Sequence, residues 1–174
     1  ISLTTPIKAD LYKNLINQLK DGEKLIFIRH AYAPGNGDPA GFNLNDCSTQ
    51  RNLSEDGKKQ AQRIGEFFNK NKIEIDKVLS SEWCRCKETA KIAFKNYSTN
   101  SFLNSFYSSK FSKNKDKQVK AFNNYIKDLG SKKNLILVTH YVFISEVLNY
   151  GSSSGEIVVS DKNFNIIGNI EIDF

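Results

Sequence analysis

The chain has only two histidines, and each follows a short apolar run. Leu25-Ile26-Phe27-Ile28 leads into Arg29-His30, and Leu135–Val138 leads into Thr139-His140. Such runs, bounded by turn formers, read as buried strands. In an open α/β sheet, ligands gather beyond the carboxyl ends of the strands. Two imidazoles at such ends, one beside a guanidinium, are well placed to meet a substrate. A third polar cluster, SSEWCRCKETA from Ser80, follows the apolar Val78-Leu79 and sets Arg85 in the first turn of a predicted helix. Helix N-termini favour anions, and an arginine there adds a planar fork that matches phosphate or carboxylate. A neutral imidazole can attack phosphorus, while guanidinium groups hold the oxygens as charge redistributes. Arg29, His30, Arg85 and His140 therefore predict a phosphoryl-transfer site that uses no metal.

The elements that must carry these residues follow from periodicity. A helix is expected over Pro6–Leu19, with apolar residues at Ile7, Leu11, Leu15, Ile16 and Leu19. The first strand follows Asp21-Gly22. Ala31–Gln50, with three glycines and two prolines, reads as a long binding loop or lid. Ser54-Glu55-Asp56 opens a helix that runs to Asn69, with a hydroxyl cap and acids in the first turn. Asp76–Leu79 is a strand, Glu82–Phe94 a helix, Tyr97–Phe106 the site of a short strand, and Lys115–Leu129 a helix. After the second key strand, Tyr141–Asn149 is helical, and Gly155–Ser160 and Asn165–Asp173 form a hairpin at one sheet edge. Alternating strands and helices imply a three-layer α/β/α sandwich with a largely parallel sheet, one domain over residues 1–174.

Composition narrows the function classes. With 174 residues, 39% hydrophobic content, 12 Phe and 7 Tyr, the chain can bury a full core. The net charge of +6 is spread along the chain, with a loose cluster at Lys110–Lys120 that reads as solvated surface. It lacks the basic stripe and aromatic interleaving of a nucleic-acid binder, so no nucleic-acid partner is expected. No apolar run reaches membrane-spanning length. Cys47, Cys84 and Cys86 do not fit the usual zinc spacings, and neither metal nor cofactor is expected. The chain contains no methionine, so a removed leader or a trimmed start is expected.

With these residues in view, the sequence resembles the histidine phosphatase superfamily, the phosphoglycerate-mutase-like family. The family's R-H-G motif reads Arg29-His30-Ala31 here, with alanine in place of glycine. Its S-S-x-x-x-R followed by T-A is matched by Ser80, Ser81, Arg85, Thr89 and Ala90. Its L-[ST]-x-x-G-x-x-Q-A is matched by Leu53, Ser54, Gly57, Gln60 and Ala61, and its second histidine by Thr139-His140-Tyr141. The resemblance implies a phosphoglycerate-mutase-like fold and phosphorylation of His30, with Arg29, Arg85 and His140 holding the phosphate. It further implies that Asn36 and Arg51 contact phosphate.

One part of the family pattern is missing. Many members supply an acid from a segment matching Asn104–Asn114 or from an Asp after the second histidine; here the first holds no carboxylate and the second is Tyr141. Asp38, Asp46 and Glu82 are near in sequence and read as surface or capping acids. The chain also lacks the long insertions of mutases, which favours a small phosphatase acting on a small phosphorylated substrate or a phosphoprotein. A non-catalytic phosphate-binding module and a phosphomutase are the alternatives; oligomeric state is left open. If Arg51 and Arg85 share one phosphate, Cys47 must approach the turn that carries Cys84 and Cys86. A disulfide from Cys47 to either is then expected, and with the basic charge and the missing initiator it favours an exported, periplasm-like compartment over a cytoplasmic one.

Overall fold

The side chains of β1 (Leu25–Arg29) and β4 (Asn134–Thr139) alternate between two faces, and this alternation builds two cores. The structure, a computed structural model, describes residues 4–174, with side chains from residue 8 onward. Ile26, Ile28, Ile136 and Val138 pack against α1 (Thr4–Asp21), α2 (Glu55–Lys70) and α3 (Cys84–Phe94) through Leu19, Ile64, Phe68 and Ala90. Leu25, Phe27, Leu135 and Leu137 face the other way, onto α5 (Lys115–Lys127) and α6 (Tyr141–Leu148) through Phe122, Ile126, Phe143 and Ile144. A strand buried on both faces must read as a continuous apolar run, which is why these two segments stand out in the sequence.

The remaining strands are β2 (Ile75–Ser80), β3 (Ser98–Thr99), β5 (Ile157–Ser160) and β6 (Ile166–Ile170). The six-stranded sheet has the order β3-β2-β4-β1-β5-β6. β3, β2, β4 and β1 pair in parallel, and β5 and β6 add an antiparallel hairpin at one edge. The expected three-layer, mostly parallel architecture is the observed one. Because β1, β2 and β4 are parallel, Arg29-His30, Ser80-Ser81 and Thr139-His140 all lie at one end of the sheet.

Local differences have local causes. The first helix runs from Thr4 to Asp21, and the expected contribution of the Ile7 side chain lies outside the described residues. The third helix begins at Cys84, two residues later than expected, because Ser81-Glu82-Trp83 forms a turn in which the Trp83 N–H donates to Ser81 Oγ at 3.2 Å. The segment expected to hold a strand over Tyr97–Phe106 keeps only Ser98–Thr99. Asn100 then caps a 3-10 turn, Ser101–Leu103, that sinks Phe102 and Leu103 into the core. A four-residue helix, α4 (Ser109–Ser112), is too short and polar to show a period.

The long loop is ordered by specific ties. Cys47 and Cys84 form a disulfide with Cα atoms 5.7 Å apart, which decides between the two pairings left open, and Cys86 stays free and buried. Gln50 reinforces the tie: its Oε1 accepts from the Cys84 N–H, and its Nε2 donates to the carbonyls of Asn43 and Leu44. Gly57 closes the other end, since a Cβ there would lie 2.0 Å from the Tyr32 carbonyl oxygen.

Alkylation of unreduced, denatured protein followed by mass spectrometry should block Cys86 alone. Replacing Cys47 and Cys84 together by serine should cost about 4 kcal/mol of stability in a urea titration, the loop-closure value for a 37-residue separation. Three alkylated thiols in protein prepared under oxidising conditions would rule out the tether.

Candidate active site

His30 lies just past β1, with its backbone fixed on every side. Its N–H donates to the Thr139 carbonyl, the Ala31 N–H to Thr89 Oγ1, and the Tyr32 N–H to Gln60 Oε1. Gln60 Nε2 in turn donates to the carbonyls of Ser154 and Ile172. The threonine and glutamine of the sequence motifs are thus clamps on the residues after His30. Ala31 lies outside the left-handed backbone region, so alanine meets no conformational penalty where the family has glycine.

The imidazole has one possible neutral tautomer. His30 Nδ1 lies 2.8 Å from the Ala31 carbonyl, which can only accept, so Nδ1 carries the proton. Nε2 faces the Arg85 Nε–H at 3.2 Å, which can only donate, so Nε2 presents its lone pair. Burial, then the charge of Arg85, pushes the His30 pKa well below its ordinary value. The ring is a neutral base whose free electron pair points into the site.

His140 is oriented by a chain of hydrogen bonds. Asn104 Oδ1 accepts from the Glu82 N–H, and its Nδ2 donates to Glu82 Oε2, which fixes the amide. Ser81 Oγ therefore donates to Asn104 Oδ1 at 3.2 Å and accepts from His140 Nε2–H at 2.9 Å. The two imidazoles meet edge to face with centroids 5.6 Å apart, and Trp83 flanks His140 at 5.4 Å. Burial and the Arg85 charge lower the His140 pKa as well. The Cys86 thiol is within 3.5 Å of His140 Nε2, and burial pushes its pKa up to about 12, so it is a packed thiol.

Three guanidinium groups surround the rings. Arg85, 3% exposed, bridges His30 and Asp38, with Nη1 2.9 Å from Asp38 Oδ1. Arg29 donates Nη1 to the Ser152 carbonyl at 2.7 Å and lies 5.4 Å from the centre of the Tyr141 ring. Its buried Nε has no partner among the described residues. Arg51 braces the loop, donating Nε to the Gly37 carbonyl at 2.6 Å and Nη1 to the Ala33 carbonyl. Burial lowers the pKa values of Arg29 and Arg51, and the charge of Arg85 adds to the effect, although an arginine keeps its charge. All three line one cleft of about 470 Å³, together with His30, His140 and Asn36.

The structure thus brings all six expected residues to one cleft, in two tiers. Arg29, His30, Arg85 and His140 form its floor. Arg51 spends two donors on loop carbonyls, and Asn36 is exposed at the rim. Asp38 corrects the sequence reading. It is neither a surface nor a capping acid: its side chain is 7% exposed and accepts from Arg85 Nη1, the Arg51 N–H and Trp83 Nε1. Its place in Gly-Asp-Pro, a turn-like setting, conceals this. Asp46 does cap the 3-10 turn Cys47–Thr49, and Glu82 supports Asn104. Sequence reasoning misses Ser81 and Asn104 as orienters of His140; the paired serines of the motif are the available signal for the first.

The sequence model of the histidine phosphatase superfamily (branch 1) matches residues 25–102. No curated protein matches the chain. Among solved structures, phosphoglycerate mutase from Thermus thermophilus is similar at 17% identity, with a TM-score of 0.58 over 86% of this chain and 99% of that one. The protein histidine phosphatase SixA, complexed with tungstate, is similar at 14% identity and a TM-score of 0.56, over 86% and 96%. A mycobacterial glucosyl-3-phosphoglycerate phosphatase in complex with VO3 is similar at 14% identity and a TM-score of 0.59, over 79% and 92%. Residues 25–102, which carry His30 and Arg85, are thus matched by the histidine phosphatase superfamily (branch 1), and the chain has the phosphoglycerate-mutase-like fold.

Proposed function

We propose that this chain is a phosphatase that hydrolyses phosphomonoesters through a phosphohistidine on His30 Nε2. The observation that carries the reading is the pairing of that lone pair with a cationic cleft, in which two floor guanidinium groups and that of Arg51 above them face one carboxylate. A phosphate dianion supplies the missing negative charge. It takes the Arg85 Nε–H away from His30 and occupies the free Arg29 Nε. His30 Nε2 attacks phosphorus, the ester P–O bond breaks with its electron pair staying on the leaving oxygen, which takes its proton from solvent, and the guanidinium groups hold the equatorial oxygens as charge shifts. Water then attacks the phosphohistidine, releasing phosphate and returning the electron pair to Nε2. A non-catalytic phosphate-binding module is the second reading, favoured by Asp38, whose oxygens face only N–H donors. We also propose an oxidising, exported location, supported by the Cys47–Cys84 disulfide.

Rapid alkaline quenching with phosphorus-labelled substrate should leave label on a peptide containing His30, and His30→Ala should abolish both label and turnover. Label retained on the His30→Ala protein would overturn the assignment. A binding module would take up no label in either protein.

Arg85 contacts His30 through Nε and Asp38 through Nη1, a geometry that one ammonium group cannot reproduce. Arg85→Lys should therefore lower kcat/KM by about 100-fold or more, the usual cost of removing one preorganised oxyanion donor. A change below about threefold, far short of that cost, would show Arg85 to be peripheral.

Both histidines titrate below their ordinary pKa of 6.5. Imidazole nitrogen NMR of the ligand-free protein should show both rings neutral at pH 6.5, and Arg85→Gln should move both midpoints upward. Between pH 6.5 and those lowered midpoints, the unfolded chain binds protons that the folded chain refuses. Stability should therefore fall as pH drops through that window.

A further inference from the structure

We infer that the leaving group taken by this cleft is a phenol: the substrate is an aryl phosphate monoester, free or as phosphotyrosine. This rests on the phosphatase reading and adds the substrate class to it. Two independent observations carry it, one about protons and one about shape.

The first is the lack of an acid with a proton to give. Asp38 is the only carboxylate among the described residues lining the cleft. Its two oxygens are engaged by three N–H donors, from Arg85, Trp83 and the Arg51 backbone, so it acts in this arrangement as an acceptor for the cations and not as a donor aimed into the cleft. Glu82 is turned to Asn104 and does not line the cleft. Both imidazoles are neutral, with their ring protons committed to Ala31 and Ser81. An aliphatic alkoxide, whose alcohol ionises near water's value of about 15.7, needs such a donor. General acid catalysis supplies about 10²–10⁴-fold. A phenol ionises near about 10, so its oxygen can take the electron pair of the breaking P–O bond as an aryloxide and gain its proton later from solvent.

The second observation is the wall above the cationic floor. Phe42, Trp83 and Phe111 pack against one another with ring centroids 5.4–5.9 Å apart. Tyr107 and Tyr141 stand at the mouth, 64% and 45% exposed. These five rings line the same cleft as His30, and its volume of about 470 Å³ suits a drug-sized ligand, well beyond a bare phosphate. The exposed rings of Tyr107 and Tyr141 offer faces that can stack on a flat ring, backed by the packed Phe42, Trp83 and Phe111, while the other polar side chains away from the cationic floor are Asn36, Ser105, Ser108 and Lys110.

The test compares kcat/KM for phenyl phosphate, O-phosphotyrosine and a phosphotyrosine peptide with benzyl phosphate and glycerol 2-phosphate. Benzyl phosphate keeps the ring but leaves as an aliphatic alkoxide. The phenolic esters should exceed both aliphatic esters by at least about 100-fold, the lower bound for a missing acid. Tyr107→Ala should raise KM for phenyl phosphate several-fold while inhibition by inorganic phosphate stays within about twofold, since only the ring loses a stacking partner. The peptide arm separates a protein substrate from a small one, and a preference for either phenolic form supports the inference. Comparable rates on benzyl and phenyl phosphate, with label still trapped on His30, would overturn the aryl class and leave the phosphatase reading intact. No turnover of any ester would overturn both.

Discussion

The site depends on holding the Arg85 guanidinium against a neutral imidazole inside the protein. A buried cation is costly unless it is paired, and a buried imidazole beside it resists taking a proton. Asp38 makes the arrangement tolerable by accepting from Arg85 Nη1, while Nε stays directed at His30. The pairing also polarises the reaction centre. Burial, with the charge of Arg85 added, disfavours the protonated His30 ring, and in the proposed reaction a bound phosphate, by engaging Arg85, would free the same electron pair for attack. Under that proposal one residue would link the protonation of His30 to occupancy of the site.

That arrangement requires three strand ends and one loop to agree. The parallel pairing of β1, β4 and β2 aligns His30, His140 and Ser81 with little freedom, because the register Ile28 to Val138 and Ser80 to Val138 is fixed by ladders in the buried centre of the sheet. The backbone after His30 would be free to turn, and Thr89, Gln60 and the close approach permitted by Gly57 remove that freedom. What looks in the sequence like a scattered motif is a set of clamps around two peptide groups.

This explains what was legible. The two apolar runs and their terminal histidines could be read because a strand buried on both faces is a continuous apolar run, while Arg85 was legible from the polar cluster after Val78-Leu79 and the hairpin edge from the two closing segments. Asp38 could not be read, because its meaning comes from Trp83 and Arg85, 45 and 47 residues away in sequence. Ser98–Thr99 and Ser109–Ser112 are too short for any period to declare itself. The choice between Cys84 and Cys86 turned on the helix starting at Cys84. That start leaves Cys84 beside the loop and turns Cys86 inward, toward Thr139 and His140.

The loop from Ala31 to Gln50 presents the remaining physical problem. It buries few apolar side chains, and a chain of that length loses substantial conformational entropy on ordering. If phosphate alone ordered it, part of the binding energy would be consumed in doing so. Here the order comes from elsewhere: the disulfide and Gln50 fix the loop to the start of α3, and Arg51 and Asp38 cross-brace its tip. The same ties draw Phe42 toward Trp83 and Phe111. The loop ties thus hold Asp38 against Arg85 and Phe42 against the aromatic wall, while the sheet ladders hold the strand-end residues, so both sides of the cleft are ordered by contacts within the protein.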